Sequence, residues 1–147
     1  MGYGLAPKAV VKAMQKLQSQ STSNPTSIVQ KAAVAALTGS QACVAEMRQD
    51  YIQLRGRILD ELATIPDVTC NKPEGAFYVY PNVGAYLGRS GITSTAELSR
   101  RLLHEAHVVT VPGEAFGTEN HLRFSYATSL KEIERGMERV RKFFKGM

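Results

Sequence analysis

Val111-Pro112-Gly113-Glu114-Ala115-Phe116-Gly117, followed closely by His121-Leu122-Arg123-Phe124-Ser125-Tyr126-Ala127, sets a strand, a glycine-bounded loop and a second strand side by side. Side chains on a strand alternate between its faces. Leu122, Phe124 and Tyr126 therefore form one apolar face, and Arg123, Ser125 and Ala127 form the other. A guanidinium among small neighbours leaves room for a ligand, and its fork of donors matches the two oxygens of a carboxylate or phosphate. The competing reading is an edge-strand arginine that reaches water or pairs with Glu114 or Glu119. Pro112-Gly113 and Phe116-Gly117 make a compact loop of the kind that borders binding sites.

Working outward, Val108 to Val111 reads as the strand that enters this loop. Ser94-Thr95-Ala96-Glu97 has the spacing of a capping box and opens a helix whose apolar side is Leu98, Leu102 and Ala106. Ser129-Leu130-Lys131-Glu132 is a second capping box, and Leu130, Ile133, Met137, Val140 and Phe144 carry the final helix. Upstream, Val68-Thr69-Cys70-Asn71 and Ala76-Phe77-Tyr78-Val79-Tyr80 read as two strands joined by Lys72-Pro73-Glu74-Gly75, a hairpin-like pair. Val44, Met47, Tyr51, Leu54, Ile58, Leu62 and Ile65 step by three or four along a long helix that Pro66 ends.

The first forty residues read as helical. Met1 to Lys8 resembles the end of a strand running into a helix, a beginning that fits either a removed N-terminal neighbour or a frayed terminus. Val10, Val11, Met14 and Leu17 mark a short amphipathic helix over Ala9 to Gln18, followed by a polar loop from Ser19 to Ser23. Asn24-Pro25 suits the N-cap and first turn of another helix, which runs through Leu37 to a break at Gly39. The fold class is α+β: helices first, then a unit of short strands with helices on one face.

The chain has 147 residues, with 18 Lys and Arg against 13 Asp and Glu, a net charge of +5. That excess makes an acidic ligand worth weighing. It is dispersed, however, and the run Arg139 to Lys145 reads as the wet side of an amphipathic helix, so nucleic-acid binding is disfavoured. Two cysteines, Cys43 and Cys70, form no C-x-x-C pair, which with no signal peptide fits a cytoplasmic protein with reduced thiols. No apolar run is long enough to span a bilayer.

Few residue groups suggest other chemistry. His104 and His107 lie three apart on an expected helix with His121 not far beyond, but no carboxylate or cysteine completes a zinc spacing, so no metal is expected. G-x-S-x-G is absent, which leaves serine hydrolysis without support. Ala76, Tyr78 and Tyr80 share a strand face; they read either as core packing or as an aromatic wall near Arg123.

Gly2-Tyr3 with Pro7, Ser21-Thr22-Ser23-Asn24-Pro25-Thr26-Ser27, Pro73-Glu74-Gly75-Ala76-Phe77-Tyr78, Pro112 to Gly117 and Leu122 to Tyr126 stand in an order that resembles one family. It is the C-terminal portion of a class I, fold type I, pyridoxal-phosphate-dependent aminotransferase of the aspartate aminotransferase type. The resemblance implies a short, mostly antiparallel sheet in an aminotransferase small domain over residues 41–147, including a long linking helix. Residues 1–40 would be a remnant of the large cofactor-binding domain.

Site roles follow from the same resemblance. Arg123 matches the arginine that grips the substrate α-carboxylate, and Phe77 lies in the strand that approaches the substrate entrance. Ser23 and Asn24 match the segment that helps hold the cofactor phosphate across a homodimer. The Schiff-base lysine would lie upstream of this chain, and neither Lys8 nor Lys31 stands in its motif. The parent would move an amino group between an amino acid and a 2-oxo acid using pyridoxal phosphate. This chain alone is expected to hold no cofactor and no activity, because the reaction needs an electron sink and a proton-shuttling lysine. Ser19 and Gln20 stand where the family often places a second arginine for a side-chain carboxylate. The alternative is a non-catalytic binding or dimerisation module with the same fold.

Overall fold

The structure is a computed structural model and describes residues 2–147. It divides into two compact units, Met1–Val44 and Ala45–Met147.

In the first unit, α1 spans Lys8–Ser21 and α2 spans Ser27–Thr38. Helix α1 runs three residues past the expected Gln18. The Ser19 hydroxyl donates to the Lys16 carbonyl at 2.8 Å and that of Ser21 to the Leu17 carbonyl at 3.1 Å, which lets polar residues remain in the last turn. Gly2 to Pro7 are irregular where a strand end was expected, and Met1 lies outside the described residues. Helix α2 begins later than Asn24-Pro25 suggested. Thr26 is its N-cap, its carbonyl accepts from Gln30 N at 3.0 Å, and the Gln30 side chain donates to the Pro25 carbonyl at 2.8 Å. Gly39 ends the helix, and a Cβ there would stand 2.7 Å from the Ala35 carbonyl oxygen.

No described residue up to Val44 is buried. Leu5, Tyr3, Ile28 and Leu17 are 92%, 80%, 80% and 74% exposed. These helices present apolar faces without covering them.

Helix α3, Ala42–Ala63, reaches into the second unit. Its apolar stripe is only half used: Ile58 and Leu62 are buried, while Val44, Met47 and Tyr51 are exposed. The helix stops at Ala63, and Thr64 N and Ile65 N bond back to Glu61 and Leu62 in a tightened last turn before Pro66. Glu61, buried on this helix, pairs with Arg57 at 2.8 Å and with Arg141 near the chain's end.

Three short strands form one antiparallel sheet in the order β1-β3-β2: β1 is Tyr78–Val79, β2 is Val111–Pro112 and β3 is Leu122–Ser125. The expected hairpin is absent. Val68 to Asn71 contributes a single bridge, Thr69 to Asn82, and β1 pairs instead with β3 in the register Tyr78 to Ser125 and Val79 to Phe124. Ala76 adopts a left-handed φ of 58°, and its carbonyl accepts from Tyr126 Oη at 2.9 Å, so the extended run starts only after it. The strand expected from Val108 also shortens. Val108 N bonds to the Leu102 carbonyl and Ser99 Oγ donates to the Thr110 carbonyl, so these groups serve the neighbouring helix rather than a ladder.

At both expected capping boxes the serine half is formed, while the Glu97 and Glu132 carboxylates pair with Arg100 and Arg135. Ser94 Oγ accepts from Glu97 N at 3.1 Å at the head of α4, Thr95–Arg101, and Ser129 Oγ accepts from Glu132 N at 3.3 Å at the head of α5, Leu130–Lys145. Helix α4 continues as a π-helical segment, Leu102–Ala106, that ends at His107 with φ 55°. Ile58, Leu98, Leu102, Leu122, Phe124, Ile133, Met137, Val140 and Phe144 make the core of this unit. Each buried side chain of this size contributes about 1.5–3 kcal/mol of transfer free energy. Leu130, expected among them, is 47% exposed.

Candidate functional site

Strand β3 alternates as its sequence requires. Leu122, Phe124 and Tyr126 are buried, Arg123 is half-buried, and Ser125 and Ala127 are exposed. Arg123 pairs with Val111 across β2, and Tyr78 pairs with Ser125 across β1. Residues two apart on a strand share a face, so Tyr78 sits diagonally beside Arg123, within reach of a long side chain.

Two aromatic rings hold the guanidinium. Its carbon lies over the Tyr78 ring, 4.4 Å from the centroid, and over the Phe116 ring at 4.7 Å. A cation over an aromatic face is attracted by the ring's quadrupole. Phe116 arrives through a 3₁₀ turn, Gly113–Phe116, that Gly117 closes in the left-handed region at φ 78°. Gly113 has no room for a side chain, since a Cβ would lie 2.7 Å from the His121 and Thr118 carbonyl oxygens. Tyr80 backs this arrangement: it meets Phe116 edge-on at 5.9 Å, stacks on His121 at 4.8 Å, and its hydroxyl lies 2.5 Å from Thr118 Oγ1. The aromatic-wall reading therefore describes Tyr78, and Tyr80 supports it from behind.

Among the described residues Arg123 forms no ion pair and its side chain makes no hydrogen bond. The suggested partner Glu114 is engaged elsewhere. Its carboxylate accepts from Thr95 N at 3.0 Å, from the Thr95 hydroxyl and from Ala96 N at 3.3 Å, at the first turn of α4. Burial pushes the Glu114 carboxyl pKa up, but these hydrogen bonds prevail and hold it below the usual carboxylate value. A guanidinium steadied by rings, with its donor fork free of carboxylates, is prepared for a planar two-oxygen acceptor.

Phe77 is 40% exposed and lies 4.5 Å from Tyr78 and 6.3 Å from Tyr51 between ring centroids. Phe77 and Arg123 thus meet through Tyr78. Tyr51 and Phe116 were not legible as site neighbours, the first because it sits in an ordinary helical stripe, the second because its position depends on the turn. Ser23 and Asn24 lie in the first unit, between α1 and α2. Ser23 adopts φ 61°, and Thr26 gives α2 no side-chain cap. His107 lies beyond the helix on which it was expected beside His104, and no group of three His, Cys, Asp or Glu that could hold a metal occurs among the described residues. Among the described residues no helix is long and apolar enough to cross a membrane.

Comparison with known proteins adds three findings. A family model described as aminotransferase class I and II matches residues 1–140. An aspartate aminotransferase of Geobacillus stearothermophilus is 47% identical over 143 residues, 97% of this chain and 36% of that protein, and a probable aspartate/prephenate aminotransferase of Rickettsia bellii is 43% identical over 95% of this chain and 36% of its own length. Among solved structures, an aspartate aminotransferase of Rhizobium meliloti matches with a TM-score of 0.90 at 38% identity, covering 95% of this chain and 36% of that one, and an aromatic aminotransferase of Pyrococcus horikoshii with 0.86 at 33%, covering 96% and 37%.

Proposed function

The chain belongs to the class I and II aminotransferases and spans about 36% of the length of the curated relatives it matches, and from that premise we propose that it forms the substrate-carboxylate half of a transaminase site. The observation that carries this reading is the open guanidinium of Arg123 over Tyr78 and Phe116. In this reading residues 41–147 are the small domain with its linking helix and residues 1–40 belong to the large domain. The parent is a homodimer that exchanges the amino group of an amino acid with a 2-oxo acid. A cytoplasmic setting suits its two unpaired thiols, Cys43 and Cys70.

Arg123 binds the substrate α-carboxylate through two donors of one fork, which fixes the position of the α-carbon before any proton moves. The rings of Tyr78 and Phe116 keep the guanidinium from swinging toward water and lower the local dielectric around the ion pair. Phe77, half in solvent beside Tyr78 and Tyr51, covers the entrance and excludes water once substrate is bound.

Pyridoxal phosphate, when bound in the parent, supplies the electron sink for the bond broken at the α-carbon. The residues present suit its phosphate end. The Ser23 hydroxyl and the Asn24 side chain make no hydrogen bond among the described residues and precede a helix N-terminus with no side-chain cap, so donors remain for an anion. No lysine of this chain is assigned the covalent bond to the cofactor. The 147-residue chain alone therefore transaminates nothing.

The test is a chimera in which this chain replaces the matching 36% of the Geobacillus stearothermophilus enzyme. It is expected to transaminate, to lose at least about 100-fold in kcat/KM with Arg123→Gln, and to keep its cofactor absorbance in that variant. An Arg123→Gln chimera as active as its parent would sink the assignment. The chain alone, treated with pyridoxal phosphate and borohydride, should show no stoichiometric adduct by intact mass.

A further inference from the structure

Behind the two rings that hold Arg123 stands a second pair, Tyr80 and His121. The register that sets Tyr78 opposite Ser125 continues to a bridge between Asn82 and His121, so Tyr80 stands opposite Arg123 and His121 lies diagonal to it. The backbone around His121 is fixed. Leu122 N donates to the Pro81 carbonyl at 3.1 Å, Val83 N donates to the Asn120 carbonyl at 2.8 Å, and the His121 carbonyl oxygen closes off the space beside Gly113. A ring carried there has little freedom of position.

The imidazole is held for its face and not for Nδ1. That nitrogen is buried without a hydrogen-bond partner, a cost that an apolar ring of similar shape would not carry. What the ring does make is a nearly parallel stack on Tyr80, with centroids 4.8 Å and planes 14° apart. Tyr80 is thereby held twice, across its face by His121 and at its hydroxyl by Thr118 Oγ1, 2.5 Å away. It meets Phe116 at 87°, with centroids 5.9 Å apart, and Phe116 lies 4.7 Å from the Arg123 guanidinium carbon. Phe116 is 48% exposed, so the orientation of its ring is set on the side that Tyr80 occupies.

We infer, resting on the assignment of the substrate carboxylate to Arg123, that His121 is a positioning residue for that carboxylate. Its ring face fixes Tyr80, Tyr80 fixes Phe116, and Phe116 fixes the angle of the Arg123 fork. Two parallel hydrogen bonds from a guanidinium to a carboxylate tolerate little tilt, so a ring displaced at the far end of this row is felt as weaker binding. An aromatic face serves at position 121, and an aliphatic side chain does not.

Two measurements test this. In the 147-residue chain, the Arg123 side-chain protons lie beside two ring faces, and nuclear magnetic resonance reads the resulting ring-current shifts. His121→Ala should move these resonances toward their positions in Phe116→Ala, and His121→Phe should leave them near those of wild type. His121→Leu, which fills the space without an aromatic face, should behave as His121→Ala does and so separates stacking from filling. In the chimera with the Geobacillus stearothermophilus enzyme, His121→Ala should raise KM for the amino acid and the 2-oxo acid about fivefold, with kcat changed by less than about twofold, and His121→Phe should restore KM. Added to Phe116→Ala, His121→Ala should raise KM no further, because the row is already broken.

Arg123 resonances unmoved by His121→Ala would overturn the proposal. So would wild-type behaviour of His121→Leu, failure of His121→Phe to restore KM, or an undiminished effect of His121→Ala in the Phe116→Ala background. An unchanged KM in His121→Ala, where Arg123→Gln is inactive, would overturn it as well. An Arg123→Gln chimera as active as its parent would instead overturn the assignment of the substrate to Arg123, and the proton shifts then decide by themselves whether His121 sets the place of that side chain.

Discussion

The carboxylate of Glu114 is committed to Thr95, not to Arg123: it accepts from Thr95 N at 3.0 Å and from the Thr95 hydroxyl, and Thr95 Oγ1 in turn accepts from Gly113 N at 3.1 Å. The loop that carries Phe116 is therefore tied to the head of α4, where an anion also meets the positive end of a helix.

Glu114→Gln should destabilise the second unit at neutral pH, by roughly 2–4 °C in Tm. The sign with pH follows from the lowered carboxyl pKa. A carboxylate favoured in the folded state adds stability above its unfolded pKa and loses it as pH falls through the folded value. The gap between wild type and Glu114→Gln should thus be full above about pH 5 and close progressively as pH falls below the ordinary value of 4.5. Thermal melts of both proteins between pH 3 and 7 measure it, and a gap independent of pH would refute the role given to this carboxylate.

Gly113→Ala should cost about 2–3 kcal/mol, because the new methyl group would meet three oxygens at 2.7 Å, two of them backbone carbonyls that cannot move without shifting β3. Gly113 is not in the left-handed region, so the cost is steric crowding rather than backbone strain. Urea unfolding monitored by near-ultraviolet dichroism gives the number. The same substitution at Gly75, where a Cβ meets nothing within 4 Å, is the control and should change stability by under about 1 kcal/mol.

What could be read from the sequence was local. The two serine caps need only Ser94 with Glu97 and Ser129 with Glu132, and the alternation from Leu122 to Tyr126 states directly which side chains enter the core. Partner choice was not local. Nothing in Val68 to Asn71 announces that Tyr78 will pair with Ser125 instead, because the choice rests on Ala76 turning left-handed and on Tyr126 binding its carbonyl from fifty residues away. The stripe along α3 reported an apolar face but not its cover, so Met47 and Tyr51 matched the period of Ile58 and Leu62 without sharing their burial. At the site, Arg123 was legible from its small neighbours, whereas the place of Phe116 depends on the turn between Gly113 and Gly117.

Phe116→Ala separates holding the arginine from supplying it. Phe116 is 48% exposed, so removing its ring should alter stability little, yet Arg123 would lose one of its two aromatic contacts. A cation over a ring contributes about 0.5–2 kcal/mol. In the chimera with the Geobacillus stearothermophilus enzyme, kcat/KM should fall about tenfold with most of the change in KM, as expected when carboxylate binding weakens in ground and transition states alike. Tyr78→Leu should act in the same direction. A variant with unchanged KM for both the amino acid and the 2-oxo acid would show that the rings do not position Arg123.

The first unit should be the weaker part of the isolated chain. None of its described residues is buried, and Leu17, Ile28 and Leu37 are at least 70% exposed, so its helices have little apolar burial to offset the entropy of ordering them. The second unit contains the entire buried cluster, from Ile58 to Phe144. Limited proteolysis at low enzyme ratio should therefore cut first between Gly2 and Ser40 and leave a resistant product that includes Ala45 to Met147. Mass spectrometry of the products locates the cuts. Local opening governs such cleavage, so early cuts within α5 or β3 would mean that the cluster around Leu122 and Val140 does not hold the second unit together.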